Sequence, residues 1–462
     1  MADTAIKTAV VGHANAGKTS LMRTLLRDVR FGSVSNHPGT TRHVEGGALM
    51  VNGEPIIDLY DTPGLEDSMG LLEVLEEIRP GEPLDGIERL RYFLGHLDAY
   101  PLYQQEAKVI RQLLHSDLFF YVIDCREPIL GKYRDEIKVL AFAAKPVIPI
   151  LNFVAAGSAQ TAVWREHLAR QGLHAAVEFD TVVFSFEGEK RLYQKVQSLL
   201  EARYDQIQRL IDDRQQRAQI SWQAGTRCIA ELLVDVGAYR LEAPSEQVDM
   251  QRELALLQKT ARKAEARCVK SLLQLFRFSA DHLDAAQLPV AGGRWQADLF
   301  DPANLKQFGV KAGSAAMKGA AAGAGIDLLT GGLSLGLATA LGAAAGVLLG
   351  GGRRFGRDIS ARVRGFHYLC IEDATLQVLW HRQIQLLTAL LDRGHAAQQP
   401  LQLSASSRAL PASWERWLTL IRSNSHWSRL PKNSGYGDPD REKLIREIAD
   451  DITASNGEQA RR

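Results

Sequence analysis

Gly12-His13-Ala14-Asn15-Ala16-Gly17-Lys18-Thr19 stands directly behind the apolar run Ala9, Val10, Val11 and in front of Leu21, Leu25 and Leu26. This reads as strand, phosphate loop, helix, in the pattern G-x-x-x-x-G-K-[ST]. Gly12 and Gly17 let the backbone turn so that successive N–H groups converge on an anion, and the start of the next helix adds its partial positive charge. Lys18 is placed to reach β- and γ-phosphates, and the Thr19 hydroxyl to ligate Mg²⁺. Gly12, Asn15, Ala16, Gly17, Lys18, Thr19 and Ser20 are therefore the candidate nucleotide contacts of the loop and first helical turn.

Two further stretches follow at useful distances. Thr40, Thr41 and Arg42 close a loop-like segment from Gly32 to Gly39, as a switch that folds over a γ-phosphate should. Ile56 to Tyr60 is a second apolar strand, ending in Asp61-Thr62-Pro63-Gly64. An Asp at that strand end can hold Mg²⁺ through water, and the N–H of Gly64 can sense the γ-phosphate. Thr19, Thr41 and Asp61 form the candidate metal set, while Lys18, Asn15, Thr41 and Gly64 are the candidate catalytic group.

Over roughly the first 65 residues these motifs resemble the Era/TrmE type of bacterial GTPase, and Thr40-Thr41-Arg42-His43 is particularly similar to Era. The resemblance implies a P-loop α/β fold with a mainly parallel sheet, GTP/GDP as ligand and Mg²⁺ as cofactor. Asn15 falls where many members carry a loop asparagine that helps bind K⁺ in place of an arginine finger. Leu65 falls where Ras-like proteins carry a water-positioning glutamine, so slow hydrolysis stimulated by K⁺ or by pairing of two G domains is implied. Glu66 and Asp67 are either water-aligning carboxylates or solvated loop acids. The place of the N-K-x-D guanine motif is taken by Asn152-Phe153-Val154-Ala155. Asn152 is retained as a candidate nucleotide contact, but the Asp that pairs with guanine ring nitrogens is Ala155.

The chain has 462 residues, room for two or three domains, and its net charge of +1 from 55 basic and 54 acidic residues gives no general drive toward nucleic acid. The start shows neither the basic nor the apolar region of a signal peptide, which points to the cytosol. Cys125, Cys228, Cys268 and Cys370 have no C-x-x-C spacing and read as reduced thiols, not a zinc site or disulfide framework.

A G domain is expected over 1–200, with an elaborated switch II region over about 65–114 containing one or two helices. Within it, Glu73, Glu76 and Glu77 read as a wet helix face. Strands are expected at Leu118 to Ile123, at Pro146 to Leu151 and at Thr181 to Ser185, where Ser185 is a weak candidate for the last base-side loop. From Glu189 the spacing becomes helical. Leu192, Val196, Leu199, Ile207, Leu210 and Ile211 share one stripe, and Leu254, Leu257, Ala261, Ala264, Cys268, Leu272 and Leu275 another, suited to domain packing or to a coiled coil.

A mostly helical domain is expected over 201–462, carrying a Gly/Ala-rich segment at 313–352. Leu328 to Gly352 has no charged residue and meets the length of about 20 residues that a spanning helix needs. Gly342, Gly346 and Gly350 bare one helix face, and Arg353, Arg354, Arg357, Arg362 and Arg364 flank it. Three readings stay open: a membrane-contacting element at the inner face of the membrane, a soluble glycine-packed core, or a fixed span. Amphipathic helices are expected at His367 to Arg393 and Pro411 to Arg422, then a polar loop and a charged terminal helix. No GXXG loop in a KH context accompanies the Era likeness, so a ribosome or RNA partner rests on the resemblance alone.

Overall fold

The structure is a computed structural model and describes residues 4–28, 31, 45–78, 84–181, 186–243, 247–276, 290–291, 294–300, 367–391, 410–430 and 437–459. Two compact units divide the chain: Met1–Ala218 with Leu391–Gln398, and Gln219–Leu390 with Gln399–Arg462.

The first unit runs β1 (Ile6–Val11), α1 (Lys18–Leu26), β2 (Glu45–Val51), β3 (Glu54–Asp61), α2 (Ser68–Glu77), α3 (Gly86–Gly95), α4 (Gln104–His115), β4 (Leu118–Asp124), α5 (Gly131–Phe142), β5 (Val147–Asn152), α6 (Thr161–Arg170), β6 (Val177–Glu178), α7 (Phe186–Leu199) and the first part of α8 (Tyr204–Ala238). The strands form one sheet in the order β2-β3-β1-β4-β5-β6, parallel except for the β2–β3 pair. From β1 the chain moves out to β3 and then returns to β4 on the other side. The carboxyl end of β1 is thus the switch point, where a crevice for a ligand opens.

Strand β4 is buried along its whole length, as a central parallel strand covered on both faces must be. Its residues alternate between two cores. Phe119, Tyr121 and Ile123 pack with α2 to α6, whereas Leu118, Phe120 and Val122 pack with α1, α7 and the start of α8.

The region after Gly64 holds three helices, not one or two. Its prolines read as breakers of a single helical run, yet Pro101 begins a short 3-10 turn between α3 and α4. Asp85 and Glu88 close a reciprocal capping box that starts α3. Leu71, Leu72, Leu75, Leu90, Phe93, Ile110 and Leu113 are all buried, so this region builds the sheet's covering layer. Glu73, Glu76 and Glu77 lie on the exposed face of α2, as expected.

The last described strand of the sheet is the two-residue β6, paired with Ile150 and Leu151, and of the strand expected at Thr181 to Ser185 only Thr181 is described. By Thr181 the chain has already left the sheet, because that residue's N–H and hydroxyl are drawn to Asn152; residues 182–185, Ser185 included, lie outside the described residues.

Past the expected boundary at 200 the first unit continues to Ala218. Ile207, Leu210 and Ile211 of α8 are buried in its core, and Gln206 donates to the carbonyls of Thr4 and Ile56. Glu189, fully buried, faces Arg27 at 3.3 Å and Arg214 at 3.6 Å and accepts from the Tyr193 hydroxyl at 2.7 Å. Of the first helical stripe only Leu199 stands exposed.

The second unit contains the rest of α8, β7 (Arg240–Ala243), α9 (Gln247–Leu275), β8 (Val290–Ala291), β9 (Arg294–Trp295), β10 (His367–Cys370), α10 (Asp373–Leu391), α11 (Trp414–Ser423) and α12 (Pro439–Gln459). His367 to Cys370 pair antiparallel with β7, so the expected helix from His367 begins only at Asp373. The stripe from Leu254 to Leu272 is buried in this unit's own core, with Leu275 packed at its margin. That is packing within the unit, the first of the two uses expected for it. Residues 313–352 lie outside the described residues. Among those described, no helix is long and apolar enough to cross a membrane.

Candidate functional site

At the carboxyl end of β1 the backbone turns at Gly12 with φ 141° and enters α1 through Gly17 with φ 96°. Both positions exclude a side chain twice over, by conformation and by space. A Cβ on Gly12 would meet the Val122 carbonyl oxygen at 2.4 Å, and one on Gly17 the Asn152 amide nitrogen at 2.3 Å. Asn15 takes the left-handed conformation at φ 64° and lies exposed on the loop.

Lys18 is buried, with Nζ donating to the carbonyls of Gly12 at 3.0 Å and His13 at 2.8 Å. Burial lowers its pKa, against the raising effect of Asp61, Glu136 and Glu66. The ammonium is thus held under the loop by two carbonyls.

Register brings Asp61 beside Val10, at the end of β1. The Thr19 hydroxyl donates to Asp61 Oδ2 at 2.5 Å, and Thr62 ties the strand end to the Val10 carbonyl with its hydroxyl at 2.8 Å. Asp61 is 1% exposed, and burial pushes its carboxyl up to about 6. Its other oxygen, Oδ1, is buried with no hydrogen-bond partner among the described residues. A hydroxyl and a carboxylate whose second hard oxygen is orphaned fit Mg²⁺. Thr19 and Asp61 would hold it; the third predicted metal residue, Thr41, and its neighbour Thr40 lie outside the described residues.

Gly64 lies against the loop: a Cβ there would meet the Ala14 nitrogen at 2.8 Å and its Cα at 3.1 Å. Leu65 turns into the core beneath and is 1% exposed, so the position after Gly64 offers no polar group to water. Of the two acids that follow, Asp67 caps α2 by accepting from Gly70 N at 2.9 Å, and Glu66 is exposed.

Across the site, Asn152 is fully buried and binds within the chain in several directions. Its Nδ2 donates to the Ala16 carbonyl at 3.0 Å, while Oδ1 accepts from Phe153 N, Thr181 N and the Thr181 hydroxyl. Asn152 thereby ties the glycine loop to the segments that follow β5 and β6. Phe153, at φ 56°, has the Arg126 guanidinium 3.8 Å from its ring centroid, and Arg126 is gripped by Asp124, with Nη2 2.6 Å from Oδ2. Ala155 is exposed and its N–H donates to Asp180 Oδ2 at 3.1 Å. At the place of N-K-x-D the structure thus has an aromatic ring backed by an arginine, without that motif's carboxylate.

A second set of residues escaped the motif reading. His13 Nδ1 donates to Glu136 at 2.9 Å, the Tyr121 hydroxyl donates to the other Glu136 oxygen at 2.8 Å, and Lys132 Nζ donates to His13 Nε2 at 2.8 Å. The Ser68 hydroxyl, at the start of α2, donates to the Lys132 carbonyl at 3.0 Å. This chain of bonds joins the phosphate loop to α5 and α2. Its one sequence trace is Glu136, an acid on the apolar stripe of Tyr133, Ile137 and Leu140. Among the described residues there is no cluster of three or more His, Cys, Asp or Glu suited to a metal.

Two family models match the chain: "50S ribosome-binding GTPase" over residues 7–153 and "Domain of unknown function (DUF3482)" over residues 165–450. The tRNA modification GTPase MnmE of Mycoplasmoides gallisepticum is 31% identical over 140 residues, 29% of this chain and 30% of that protein. GTPase Der of Bordetella petrii is 31% identical over 196 residues, 38% of this chain and 43% of that protein. The chain thus spans less than half the length of these relatives. A crystal structure of Era in complex with MgGDPNP and nucleotides 1506–1542 of 16S ribosomal RNA aligns over 38% of this chain and 51% of its own, at 21% identity and a TM-score of 0.29. The N-terminal region is a G domain of the GTPase type, followed by a mostly helical region.

Proposed function

The chain belongs to the DUF3482 family, with a G domain of the 50S ribosome-binding GTPase type ahead of the DUF3482 match, and we propose that it is a GTP-binding, slowly hydrolysing switch. The observation that carries this reading is the Lys18, Thr19, Asp61 and Gly64 constellation around one phosphate loop. Bound Mg²⁺ would neutralise charge on the transferring phosphoryl group. Lys18 binds the β- and γ-phosphates, Thr19 and Asp61 hold the metal, and Gly64 senses the γ-phosphate through its N–H. Thr40 and Thr41 close over that phosphate.

With Leu65 buried, catalysis depends on an added cation or partner. Asn15, exposed and left-handed on the loop, is the K⁺ contact we favour, with pairing of two G domains as the other route to stimulation. Phosphate release should rise on replacing Na⁺ by K⁺ and lose that rise in Asn15→Ala. Equal rates in both salts, for wild type and variant alike, would end the K⁺ assignment.

Nucleotide state would be passed to the helical region, whose target is a membrane surface or a ribosomal particle. The name of the matching family model supports the second, and cosedimentation with ribosomal particles that weakens as salt rises would bear it out. The first rests on Leu328 to Gly352. Flotation with anionic liposomes that is lost on deleting that run would favour the membrane.

A further inference from the structure

Cys228 of α8 and Cys268 of α9 stand apart by forty residues and carry no redox motif, yet their sulfurs lie 3.2 Å apart. Both are free thiols. Their closeness follows from packing. Gly225, one turn before Cys228, has no side chain where a Cβ would meet Leu387 at 2.6 Å and Leu272, one turn beyond Cys268, at 3.4 Å. With α8 pressed onto an antiparallel α9 at this point, two one-carbon side chains reach each other. Cys228 Sγ also lies 4.0 Å from the Cys268 carbonyl, which places it close to the α9 backbone. The two thiols are unlike. Cys228 is partly exposed beside the exposed Ser271, whereas Cys268 is buried.

We propose that Cys228 and Cys268 form a thiol–disulfide exchange site, taking small disulfides of the glutathione class as oxidant. Cys228 is the attacking thiol and Cys268 the resolving one. The Cys228 thiolate attacks one sulfur of the small disulfide, whose S–S bond breaks and releases a first thiolate. Cys268 then gives up its proton and attacks the Cys228 sulfur, forming the interhelical bond and expelling the second thiolate. Two electrons pass from the cysteine pair to the small disulfide, which leaves as two thiols. Bond formation needs the sulfurs to close by about 1 Å, to the usual separation of about 2.05 Å. The polarity of the pair favours this order: the Cys268 hydrogen bond holds the Cys228 thiol below its ordinary pKa and raises that of Cys268.

The test is peptide mapping of the full chain after equilibration in graded oxidised and reduced glutathione, quenching, and alkylation under denaturing conditions. The expected product is one intrachain Cys228–Cys268 disulfide, lighter by two hydrogens and reversed by dithiothreitol, with Cys125 and Cys370 alkylated throughout. Cys268→Ser should instead retain glutathione on Cys228. Full alkylation of both residues in the most oxidising buffer would overturn the proposal. So would stable glutathione on wild-type Cys228, or bonds between chains in place of the internal one.

Discussion

Gly64 shows how narrow the site's tolerances are. Its Cα faces the Ala14 backbone so closely that a methyl group must push the two loops apart. A displacement of about 1 Å in a catalytic arrangement can cost on the order of 100-fold in rate. Gly64→Ala should therefore lower single-turnover hydrolysis by at least about 10-fold while leaving GDP affinity nearly unchanged; an unaltered rate would separate Gly64 from the chemistry. Ala155 gives a complementary prediction. A carboxylate accepting from guanine's N1–H and its exocyclic 2-amino group contributes about 1.5–3 kcal/mol per hydrogen bond. Ala155→Asp should raise the preference for GTP over ITP or ATP by about 10-fold or more in competition binding, and a flat ratio would show that the base edge does not reach this loop. Most of these residues were legible in the sequence because a phosphate loop imposes its glycines, lysine and threonine through backbone geometry. Glu136 was not. Its partner His13 is distant in sequence, and only folding brings an acid on an apolar helix face to a hydrogen-bond donor.

Elements were legible where burial enforces a period. Strands β4 and β5 were read to within a residue at each end, since parallel strands covered on both faces leave unbroken apolar runs, whereas Lys7 and Thr8 hid the first half of β1. β6 was misplaced because Asp180 and Thr181 follow it, bonded to the Asn152 loop and not to a neighbouring strand. In the second unit, α9 carries a buried acid that its stripe did not reveal. Glu265 accepts from Gln383 at 3.2 Å, and burial pushes its carboxyl up to about 7, with Arg382 opposing the shift. Glu372, just before α10, is also pushed up to about 7 by burial. In the unfolded chain both ionise near the ordinary 4.5. Between those values the folded unit holds protons that the unfolded chain has released, so these groups make stability fall as pH rises from about 4.5 to about 7 and level off above. Urea unfolding followed by tryptophan fluorescence should show this, because Trp222, Trp295, Trp380, Trp414, Trp417 and Trp427 all lie in the second unit. Glu265→Gln should flatten the decline, by on the order of 1 kcal/mol per pH unit; an unchanged slope would remove Glu265 as its source.

At the scale of the whole molecule, α8 belongs to both units: Ile207, Leu210 and Ile211 are buried in the first core, and apolar residues between Ile229 and Ala238 supply the second. Length left room for two or three domains, and the expected boundary at 200, set where helical periodicity takes over after Glu189, lies ahead of the first unit's end at Ala218. The buried Glu189, Arg27 and Arg214 cluster explains the difference, since it binds α7 and the start of α8 to the end of α1. Removing one partner of such a buried pair costs about 3–5 kcal/mol. Arg214→Ala should thus destabilise the first unit, read as earlier loss of nucleotide protection on heating; unchanged protection would sever α8 from that core. Every step of the proposed switch depends on triphosphate binding at Lys18. Its most direct test is calorimetric titration of the full chain, in Mg²⁺ and K⁺, with a non-hydrolysable GTP analogue. Wild type should bind one equivalent, and Lys18→Ala, losing charge-assisted bonds of about 3 kcal/mol, about 100-fold more weakly. Equal affinity in the two proteins would contradict the assignment.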